Sequence, residues 1–579
     1  MRPLALIALL LLAGCGRPGG RPHPVPATRG PWPPTWTVGD SAAAVAAPRA
    51  MVVSGHPLAT EVGRRILEQG GTAIDAVVAV GLALAAVLPD AGNIGGGGFI
   101  VHRDTAGVVQ ALDYRETAPF AAARDMYLDS TGQPTERSIT GHLAAGVPGS
   151  VAGLHAAWRR LGRLPWAALV APAVALAEAH ELDEERSASI EDDRERLGQF
   201  SASAAQFLVD GRAPAPGTMV RQPDLARTLR LIADSGPDVF YRGQIADLIV
   251  AEMARGSGLI SKADLAAYTP RWRTPIRITY RGYTIYSMPP ASSGGVTMGE
   301  ILNILEGYDR LPPFGSTALA HLEAEAMRRA FMDRNRWLGD PDFVVMPLDR
   351  LLSKAYAASL RVQIDPIRAT PTPPFNPVAP PPAPGGDNTT HYSIVDAQGN
   401  AAAVTTTLNN GFGSAVTVGG AGFLLNDEMD DFATAPGQPN MFGLVQGENN
   451  AVAPGKRMLS AMTPSIVLDP RGALFLVVGS PGGPRIITTV YHVISNVIDH
   501  GLSLAQAVGA PRVHHQALPD SLSVERGGLP PAILDSLRAM GYGVREGNRS
   551  GLVMAIMRGP AGGWIGVADP RTAGAAAGY

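Results

Sequence analysis

Two adjacent threonines, Thr389 and Thr390, stand where a proline-rich stretch gives way to a strand-like segment. A threonine hydroxyl is a weak nucleophile unless a base lies beside it, but a threonine at the start of a chain carries its own base. That base is the free α-amine, whose reference pKa is about 8. Cutting the Asn388–Thr389 bond would create this amine, and an internal threonine can make the cut by attacking the preceding carbonyl. The chemistry alone leaves both threonines open as the nucleophile.

The neighbouring sequence predicts how these threonines are held. Residues 366–384 contain nine prolines, which exclude a helix or a central strand. The alternation in 391–395, the turn at 396–400 and the return segment 401–408 predict two antiparallel strands joined by a tight connection. We therefore expect an extended upstream segment that meets a strand at the cut and can move away afterwards.

Helical periodicity predicts several further elements. The predicted helices lie at 57–69, 73–88, 150–180, 222–256, 299–306 and 318–337. The second of these is nearly all apolar but shorter than the roughly 20 residues of a membrane span, so it is predicted to be a buried core helix. Residues 275–287 predict a strand pair. A four-glycine run at 95–98 permits close approach of another backbone and lacks the ending of a phosphate-binding loop.

The start of the chain resembles a bacterial lipoprotein signal. A positively charged start and a short apolar stretch lead to Leu-Ala-Gly-Cys, which ends at Cys15. We therefore predict a signal peptide at 1–14, lipidation of Cys15 and a disordered Pro/Gly-rich tether at 15–46. An ordinary secretory signal with an incidental cysteine is the alternative. The expected location is the bacterial cell envelope, on the periplasmic side and held by the lipid alone, and Gly16 weakly favours the outer membrane.

Composition excludes several classes of protein. Charged residues make up 17% of the 579 residues, the net charge is -3, and no run of Lys or Arg occurs, so we expect no nucleic-acid partner. Cys15 is the single cysteine of the chain, which excludes disulfides and cysteine-based metal sites. The twelve histidines show no HExxH-like spacing. We predict neither a metal nor an organic cofactor.

A series of short motifs resembles one known family. They are DYRETAP at 113–119, GVPG at 146–149, PPASSGG at 289–295, TTHYSIVD at 389–396, NDEMDDF at 426–432, GSPGG at 479–483 and ADPR at 568–571. Each motif alone is weak, but together, in this order, they resemble the γ-glutamyltransferases over about residues 48–579. The resemblance implies an α/β (α+β) fold, the four-layer αββα sandwich of N-terminal-nucleophile hydrolases, cleaved into two associated subunits. The large subunit would be 47–388 and the small catalytic subunit 389–579, joined as a heterodimer.

The resemblance also implies the catalytic residues. The first threonine of the Thr-Thr-His motif is the family's nucleophile, which favours Thr389 and places the cleavage between Asn388 and Thr389. Thr407, on the return strand, would hydrogen-bond the nucleophile. Gly482 and Gly483 would present backbone N–H groups to the oxyanion, and glycines allow the unusual backbone angles that this needs.

A second group of residues would bind the substrate. Arg115 would clamp the α-carboxylate of a γ-glutamyl group, because a guanidinium matches a carboxylate bidentately. Asn409, Glu428 and Asp431 would hold the α-ammonium, whose donors need oxygen acceptors and opposing charge. Ser460 would donate a hydrogen bond to the α-carboxylate.

The implied activity is γ-glutamyl transfer from glutathione and related amides to water, an amino acid or a peptide. Two departures from the family pattern bear on it. Ala461 replaces a second serine, which removes a hydroxyl from the carboxylate site, and Phe442 replaces a lid tyrosine in the segment 435–450, which predicts a looser gate over Asn409. Two alternatives stay open. They are an acylase for glutaryl side chains such as those of cephalosporins, and a non-catalytic lipoprotein scaffold.

Overall fold

The computed structural model describes residues 23–25, 42–373, 389–548 and 551–579. Cys15 and Asn388 lie outside these ranges, as do the predicted signal peptide and most of the tether. Within the described part of the chain, no helix is long and apolar enough to cross a membrane.

Two β-sheets form the centre of the molecule. The first has seven strands in the spatial order Ala575–Gly578, Met51–Ser54, Thr389–Val395, Ala401–Thr407, Gly97–Arg103, Val109–Asp113 and Arg271–Arg273. The second has eight, in the order His23–Val25, Ala44–Ala47, Trp564–Ala568, Met554–Arg558, Leu474–Gly479, Ser465–Leu468, Tyr283–Ser287 and Ile276–Tyr280. Smaller sheets join His180–Glu181 to Met219–Val220, and Val513–His514, Leu522–Glu525 and Val544–Gly547 to one another.

Helices cover the outer face of each sheet. Those over the first sheet and around it are Pro57–Glu68, Ala73–Val87, Ser150–Leu161, Trp166–Glu178, Glu184–Asp192, Arg194–Leu197, Ser201–Phe207, Pro223–Ser235, Asp238–Tyr241, Gln244–Gly256 and Lys262–Ala267. Those on the side of the second sheet are Gly294–Glu306, Thr317–Trp337, Leu348–Leu351, Lys354–Arg361, Arg485–Ile498, Leu504–Gly509 and Pro531–Ala539. Short 3-10 turns lie at Glu136–Ser138, His142–Ala144, Glu428–Asp431 and Glu448–Asn450.

Side-chain alternation along the strands builds two cores. Successive strand residues point to opposite faces, so Val53 joins the core between the sheets while Val52 joins the core under the first helical layer. In the same way, Phe99 joins the core between the sheets and Ile100 joins the core under the first helical layer. This helix–sheet–sheet–helix packing confirms the four-layer αββα arrangement.

The elements predicted from the sequence are confirmed, with shifted ends. The helix expected at 57–69 runs over Pro57–Glu68, and the apolar one at 73–88 runs over Ala73–Val87 with every residue buried. The region 150–180 contains two helices and 222–256 contains three, because Gly and Pro residues interrupt them. The helix predicted at 299–306 starts earlier, at Gly294.

The second sheet begins inside the segment predicted to be a tether. Ala44–Ala47 pairs with the strand Trp564–Ala568, and His23–Val25 pairs with Ala44–Ala46. Residues 23–25 and 44–46 therefore belong to the second sheet rather than to the tether. The boundary is displaced because strands of only three or four residues carry little sequence pattern of their own.

The glycine run at 95–98 brings a loop against the strand Ala401–Thr407. A Cβ atom at Gly96 would lie 2.1 Å from the carbonyl oxygen of Thr407, which no side chain tolerates. The same loop is fixed by Asn93, whose amide donates to the Thr407 oxygen at 2.9 Å and whose own oxygen accepts from the Gly96 N–H at 3.0 Å. The run therefore holds the end of this strand in place, as its composition predicts.

Replacing Gly96 by alanine tests this packing. The added methyl group would collide with the Thr407 carbonyl and with the Asn93 side chain, and overpacking of this kind costs about 1–3 kcal/mol, so Gly96→Ala should lower the midpoint of thermal unfolding by several degrees. Gly547→Ala is the matched control, because its Cβ would meet nothing within 4 Å. Equal midpoints for the two variants would contradict the prediction.

Candidate active site

The Thr389 hydroxyl lies beside a second threonine hydroxyl. Thr389 and Thr407 are direct partners across two antiparallel strands, and their Oγ1 atoms are 2.9 Å apart. The Thr407 Oγ1 also accepts the backbone N–H of Asn409 at 2.9 Å. Because a hydroxyl has one donor and two acceptor sites, Thr407 can receive this N–H and still donate to Thr389.

Thr390 points elsewhere. Its Oγ1 lies against Gly55, where an added Cβ would be only 2.9 Å away, and its side chain lines a separate cavity with Leu88 and Asp90. Thr389 lines that cavity as well, but it alone of the two threonines reaches the pocket that contains Arg115. Successive strand residues point to opposite faces, so Thr389 and Thr390 have different surroundings although the chemistry alone made them equal candidates for the nucleophile.

His391 is not placed to act as the base for Thr389. Its Nδ1 lies 2.8 Å from the Thr405 hydroxyl and its Nε2 lies 3.1 Å from the Ser393 hydroxyl. Complete burial lowers its pKa to about 3, which keeps the ring neutral. Within the described residues, Thr407 supplies the sole side-chain hydrogen bond to Thr389 Oγ1. This leaves the α-amine as the base that the local chemistry offers.

Most of the residues singled out from the sequence line one pocket of about 330 Å³. They are Arg115, Thr389, Thr407, Asn409, Asp431, Phe442, Ser460, Ala461 and Gly483. Gly482 immediately precedes Gly483, and Glu428 is near but off the pocket wall. Four of the seven motifs therefore converge on a single site, together with the segments that contain Thr407, Phe442 and Ser460.

Arg115 is surrounded by carboxylates. Its Nη1 is 2.5 Å from Glu428 and 3.6 Å from Glu116, its Nη2 pairs with Asp431, and its Nε donates to the Met458 carbonyl at 3.3 Å. Burial alone would lower the pKa of the Arg115 guanidinium, but the surrounding carboxylates hold it above its ordinary value. The acids outnumber the cation, so an ammonium ligand here would find carboxyl oxygens to accept its hydrogens.

Glu428 is placed differently from the sequence expectation. It is fully buried, and its carboxylate faces Arg115 instead of the pocket. Burial raises its pKa well above the ordinary value, against the opposing charge of Arg115. Glu428 is thus positioned to orient Arg115, while Asp431, on the pocket wall, is positioned to meet a ligand. Motif spacing does not separate these neighbours, which lie in one 3-10 turn.

Asn409 has a strained backbone and a side chain turned toward the lid. Its φ is 83°, a left-handed conformation that Asn tolerates better than most residues. Its Nδ2 donates to the Asp427 carbonyl at 3.1 Å and contacts the Met441 sulfur at 3.6 Å. Among the described residues its Oδ1 has no donor, so this oxygen is free to accept one. The sequence alone does not identify Met441, whose sulfur contacts Asn409 from the lid in place of the absent tyrosine hydroxyl.

The two glycines adopt conformations that favour glycine, with φ of 130° at Gly482 and 53° at Gly483. They precede the helix Arg485–Ile498, and their carbonyls accept its first N–H groups. Neither glycine N–H has an acceptor among the described residues. Phe442 packs on Gly483, where a Cβ would be 2.9 Å from the ring. Two free donors at a helix start suit a developing negative charge.

Ser460 and Ala461 form one side of the pocket. The Ser460 Oγ accepts the Met462 N–H at 3.1 Å and has no acceptor among the described residues, so its hydrogen is available to a ligand. Ala461 exposes a methyl group beside it, consistent with the loss of a hydroxyl read from the sequence.

Arg334 was not found from the sequence. It lies within the helix Thr317–Trp337, among several other arginines, and no motif distinguishes it. In the structure it is buried, lines the same pocket, and interacts with the Asp431 charge. Only the three-dimensional placement separates it from Arg328 and Arg329, which are buried but do not line this pocket, and from the exposed Arg336.

Comparisons with known proteins show which proteins this chain is similar to. The chain matches the family model described as Gamma-glutamyltranspeptidase over residues 59–579. It is 47% identical over 535 residues to the glutathione hydrolase proenzyme of Escherichia coli (strain K12), with 91% of each chain covered. It is 38% identical to the Acylase ACY 1 proenzyme of Pseudomonas sp. (strain SE83), with 91% of this chain and 93% of the relative covered.

A solved structure shares the whole fold. The crystal structure of cephalosporin acylase from Bacillus halodurans superposes with a TM-score of 0.81 at 28% identity, covering 95% of this chain and 98% of that one. The layered fold is that of the N-terminal-nucleophile hydrolases. The chain belongs to the gamma-glutamyltranspeptidase family.

Removing the Thr407 hydroxyl tests the contact at the strand pair. Thr407→Val keeps the shape but loses a hydrogen bond of about 0.5–1.5 kcal/mol, so cutting at Thr389 should slow by about three- to tenfold. Gel analysis of a freshly purified precursor over time measures this rate. Thr407→Ser retains the hydroxyl and should cut at nearly the normal rate. Cutting of the valine variant at the wild-type rate would contradict the proposed contact.

Proposed function

We propose that the protein is an autoprocessed γ-glutamyltransferase and glutathione hydrolase, which cleaves the γ-glutamyl amide of glutathione and related compounds. The observation that carries the proposal is the pairing of Thr389 with Thr407 in a pocket that also contains Arg115, Asn409 and Asp431. A nucleophile thus lies beside the charges that an α-amino acid requires. The family membership supports the same activity.

Maturation comes first. The Thr389 hydroxyl attacks the carbonyl carbon of Asn388, the peptide C–N bond breaks, and an ester forms. Water then hydrolyses the ester, which leaves a carboxylate on Asn388 and a free α-amine on Thr389. The products are a large subunit, 47–388, and a small subunit, 389–579.

Catalysis uses the amine that maturation releases. The Thr389 Oγ1 attacks the γ-carbonyl carbon of the donor as the α-amine takes the hydroxyl proton. The carbonyl oxygen becomes an oxyanion, which the Gly482 and Gly483 N–H groups stabilise, and one such donor is worth about 3 kcal/mol. The amide C–N bond then breaks, the amine returns its proton to the leaving nitrogen, and a γ-glutamyl ester stays on Thr389. Water or the amino group of an acceptor resolves the ester.

Recognition of the amino-acid end uses the charges around Arg115. Asp431 and the Asn409 Oδ1 accept the donor's ammonium hydrogens, while Arg115 and the Ser460 hydroxyl meet its carboxylate. Glu428 orients Arg115 from the buried side. Because each charge has a counterpart on the substrate, a zwitterionic donor is favoured over a neutral one.

The alternative substrate class is a glutaryl amide, as in cephalosporin side chains. Ala461 keeps it open, because it departs from the serine pair of the γ-glutamyltransferases, and a relative named an acylase is 38% identical. Asp431 opposes it, because a glutaryl group carries no ammonium and would leave this carboxylate without a cationic ligand. The balance of charge therefore favours the γ-glutamyl donor.

The predicted location of the protein rests on the signal-like sequence at the start of the chain alone. Export and a lipid anchor at Cys15 stay predictions from the signal-like sequence. Metabolic labelling with a fatty-acid analogue tests them directly, with Cys15→Ser as the unlabelled control.

Substitution of the two threonines tests the proposed nucleophile. Thr389→Ala removes the hydroxyl needed for both steps, so we expect one uncut chain and no p-nitroaniline release from L-γ-glutamyl-p-nitroanilide. Thr390→Val is the matched control and should be cut and active, because this side chain faces a different cavity. An uncut Thr390→Val with a cut Thr389→Ala would overturn the assignment. Cut wild-type protein that is inactive on this donor but active on glutaryl-p-nitroanilide would favour the acylase.

Acid pH should weaken donor binding. Burial raises the pKa of Asp431, although Arg115 opposes the shift, so this carboxylate takes up a proton at a higher pH than an ordinary aspartate. Protonation removes the charge that faces the donor's ammonium. We therefore expect the KM for the γ-glutamyl donor to rise as the pH falls from neutral, and Asp431→Asn to show a high KM throughout. A KM independent of pH in the wild-type enzyme would contradict this role.

A further inference from the structure

Arg334 presents a buried cationic group with one nitrogen unused. The side chain lines the pocket beside Thr389, yet the residue is only 1% exposed. Its Nε donates to the Ser293 hydroxyl at 3.0 Å, and its Nη1 donates to the Asn335 and Gln446 side-chain oxygens at 3.0 and 3.1 Å. Its Nη2 has no hydrogen-bond partner. A buried charged donor left unpaired costs free energy, so its retention needs a reason.

The contacts of Arg334 fix it relative to both sides of the carboxylate site. Ser293, which accepts the Nε hydrogen, donates its own hydroxyl to the Ser460 carbonyl at 2.6 Å. Gln446, which accepts from Nη1, donates to the Asp431 carbonyl at 3.1 Å. The guanidinium is therefore held rigidly between the segment that contains Ser460 and the segment that contains Asp431.

Arg334 and Arg115 differ in how fully they are engaged. Each nitrogen of Arg115 faces an acid or a carbonyl, and the three carboxylates around it exceed its charge. No carboxylate contacts Arg334 within ion-pair distance among the described residues. Burial lowers the pKa of Arg334 to about 10, against the more distant charge of Asp431, so the side chain stays protonated at neutral pH.

We propose that Arg334 is a second carboxylate-binding residue of the donor pocket, with its free Nη2 placed to receive the α-carboxylate of the γ-glutamyl group. This inference rests on the proposed function and specifies its substrate class as donors that carry a carboxylate at this end. The Ser460 hydroxyl donates to the same carboxylate. Arg115 contributes to the same carboxylate site and also holds the acids that meet the ammonium.

The assignment explains how the site works without the serine hydroxyl missing at Ala461. A hydrogen bond from a charged donor to a carboxylate is stronger than one from a neutral hydroxyl. A fixed guanidinium also loses little conformational freedom on binding, because its other nitrogens are already held. An α-carboxylate bound here would therefore give Nη2 the hydrogen-bond partner that it lacks.

Competition by small ligands tests the proposal on the processed enzyme. At the α-carbon of the amino-acid end, L-glutamate carries both a carboxylate and an amine. Glutarate keeps only the carboxylate at that position, and 4-aminobutanoate keeps only the amine. In Arg334→Gln we expect the inhibition constants of glutamate and glutarate to rise by about 10- to 100-fold. The constant for 4-aminobutanoate should stay within about twofold. KM for L-γ-glutamyl-p-nitroanilide should rise with a smaller change in kcat.

Two further variants keep the test decisive. Arg334→Lys keeps the charge and should give an intermediate rise in the inhibition constants of glutamate and glutarate. This variant also replaces Arg334→Gln in the test if the glutamine variant is not cut. Arg336→Gln, an exposed position on the same helix, should leave all constants unchanged. Equal weakening of all three ligands would assign Arg334 a structural role, and no weakening would overturn the proposal. Inactive wild-type protein would instead count against the proposed function, since the Arg334 result is a ratio of variant to wild type.

Discussion

The structure depends on the antiparallel pairing that sets Thr389 opposite Thr407. Seven consecutive residue pairs align the two strands, and Thr407 pairs in turn with Gly97 on the next strand. Backbone hydrogen bonds thus fix the position of Thr389, the proposed nucleophile, before any side chain contributes. A slip of one residue would turn Thr389 to the opposite face and replace it with Thr390, so the register determines which threonine faces the pocket. The Asn93 and Gly96 contacts on Thr407 hold that register at the strand end.

The second constraint is electrostatic. Arg115, Glu116, Glu428 and Asp431 are packed together with little access to water, and burial alone would drive the acids toward their neutral forms. Burial raises the pKa of Glu116 to about 7 despite the adjacent guanidinium. Such a cluster contributes little net stability when empty. The proposed zwitterionic donor would add one cation and one anion where the existing charges are incompletely matched.

The sequence predicted the fold class, most helices and strands, and the residues that converge on the pocket. It succeeded because those residues sit in short motifs with fixed spacing around turns and strand ends. It could not separate Glu428 from Asp431, since a 3-10 turn sends neighbouring acids to different surroundings. It also missed Arg334 and Met441, which reach the site from a long helix and from the lid. Their roles depend on packing between distant segments, and no local pattern encodes that.

The division of the charges explains why a cut between 388 and 389 need not separate the two parts. Both pocket arginines, Arg115 and Arg334, precede the cut, whereas Asn409, Glu428 and Asp431 follow it. The first sheet is interleaved in the same way, because Thr389–Val395 lies between Met51–Ser54 and Ala401–Thr407, which itself pairs with Gly97–Arg103. Dissociation would break strand ladders on both sides and leave buried charges unpaired. We therefore expect the proposed cleavage to free an amine at Thr389 while the ion pairs and the sheet hold the two parts together.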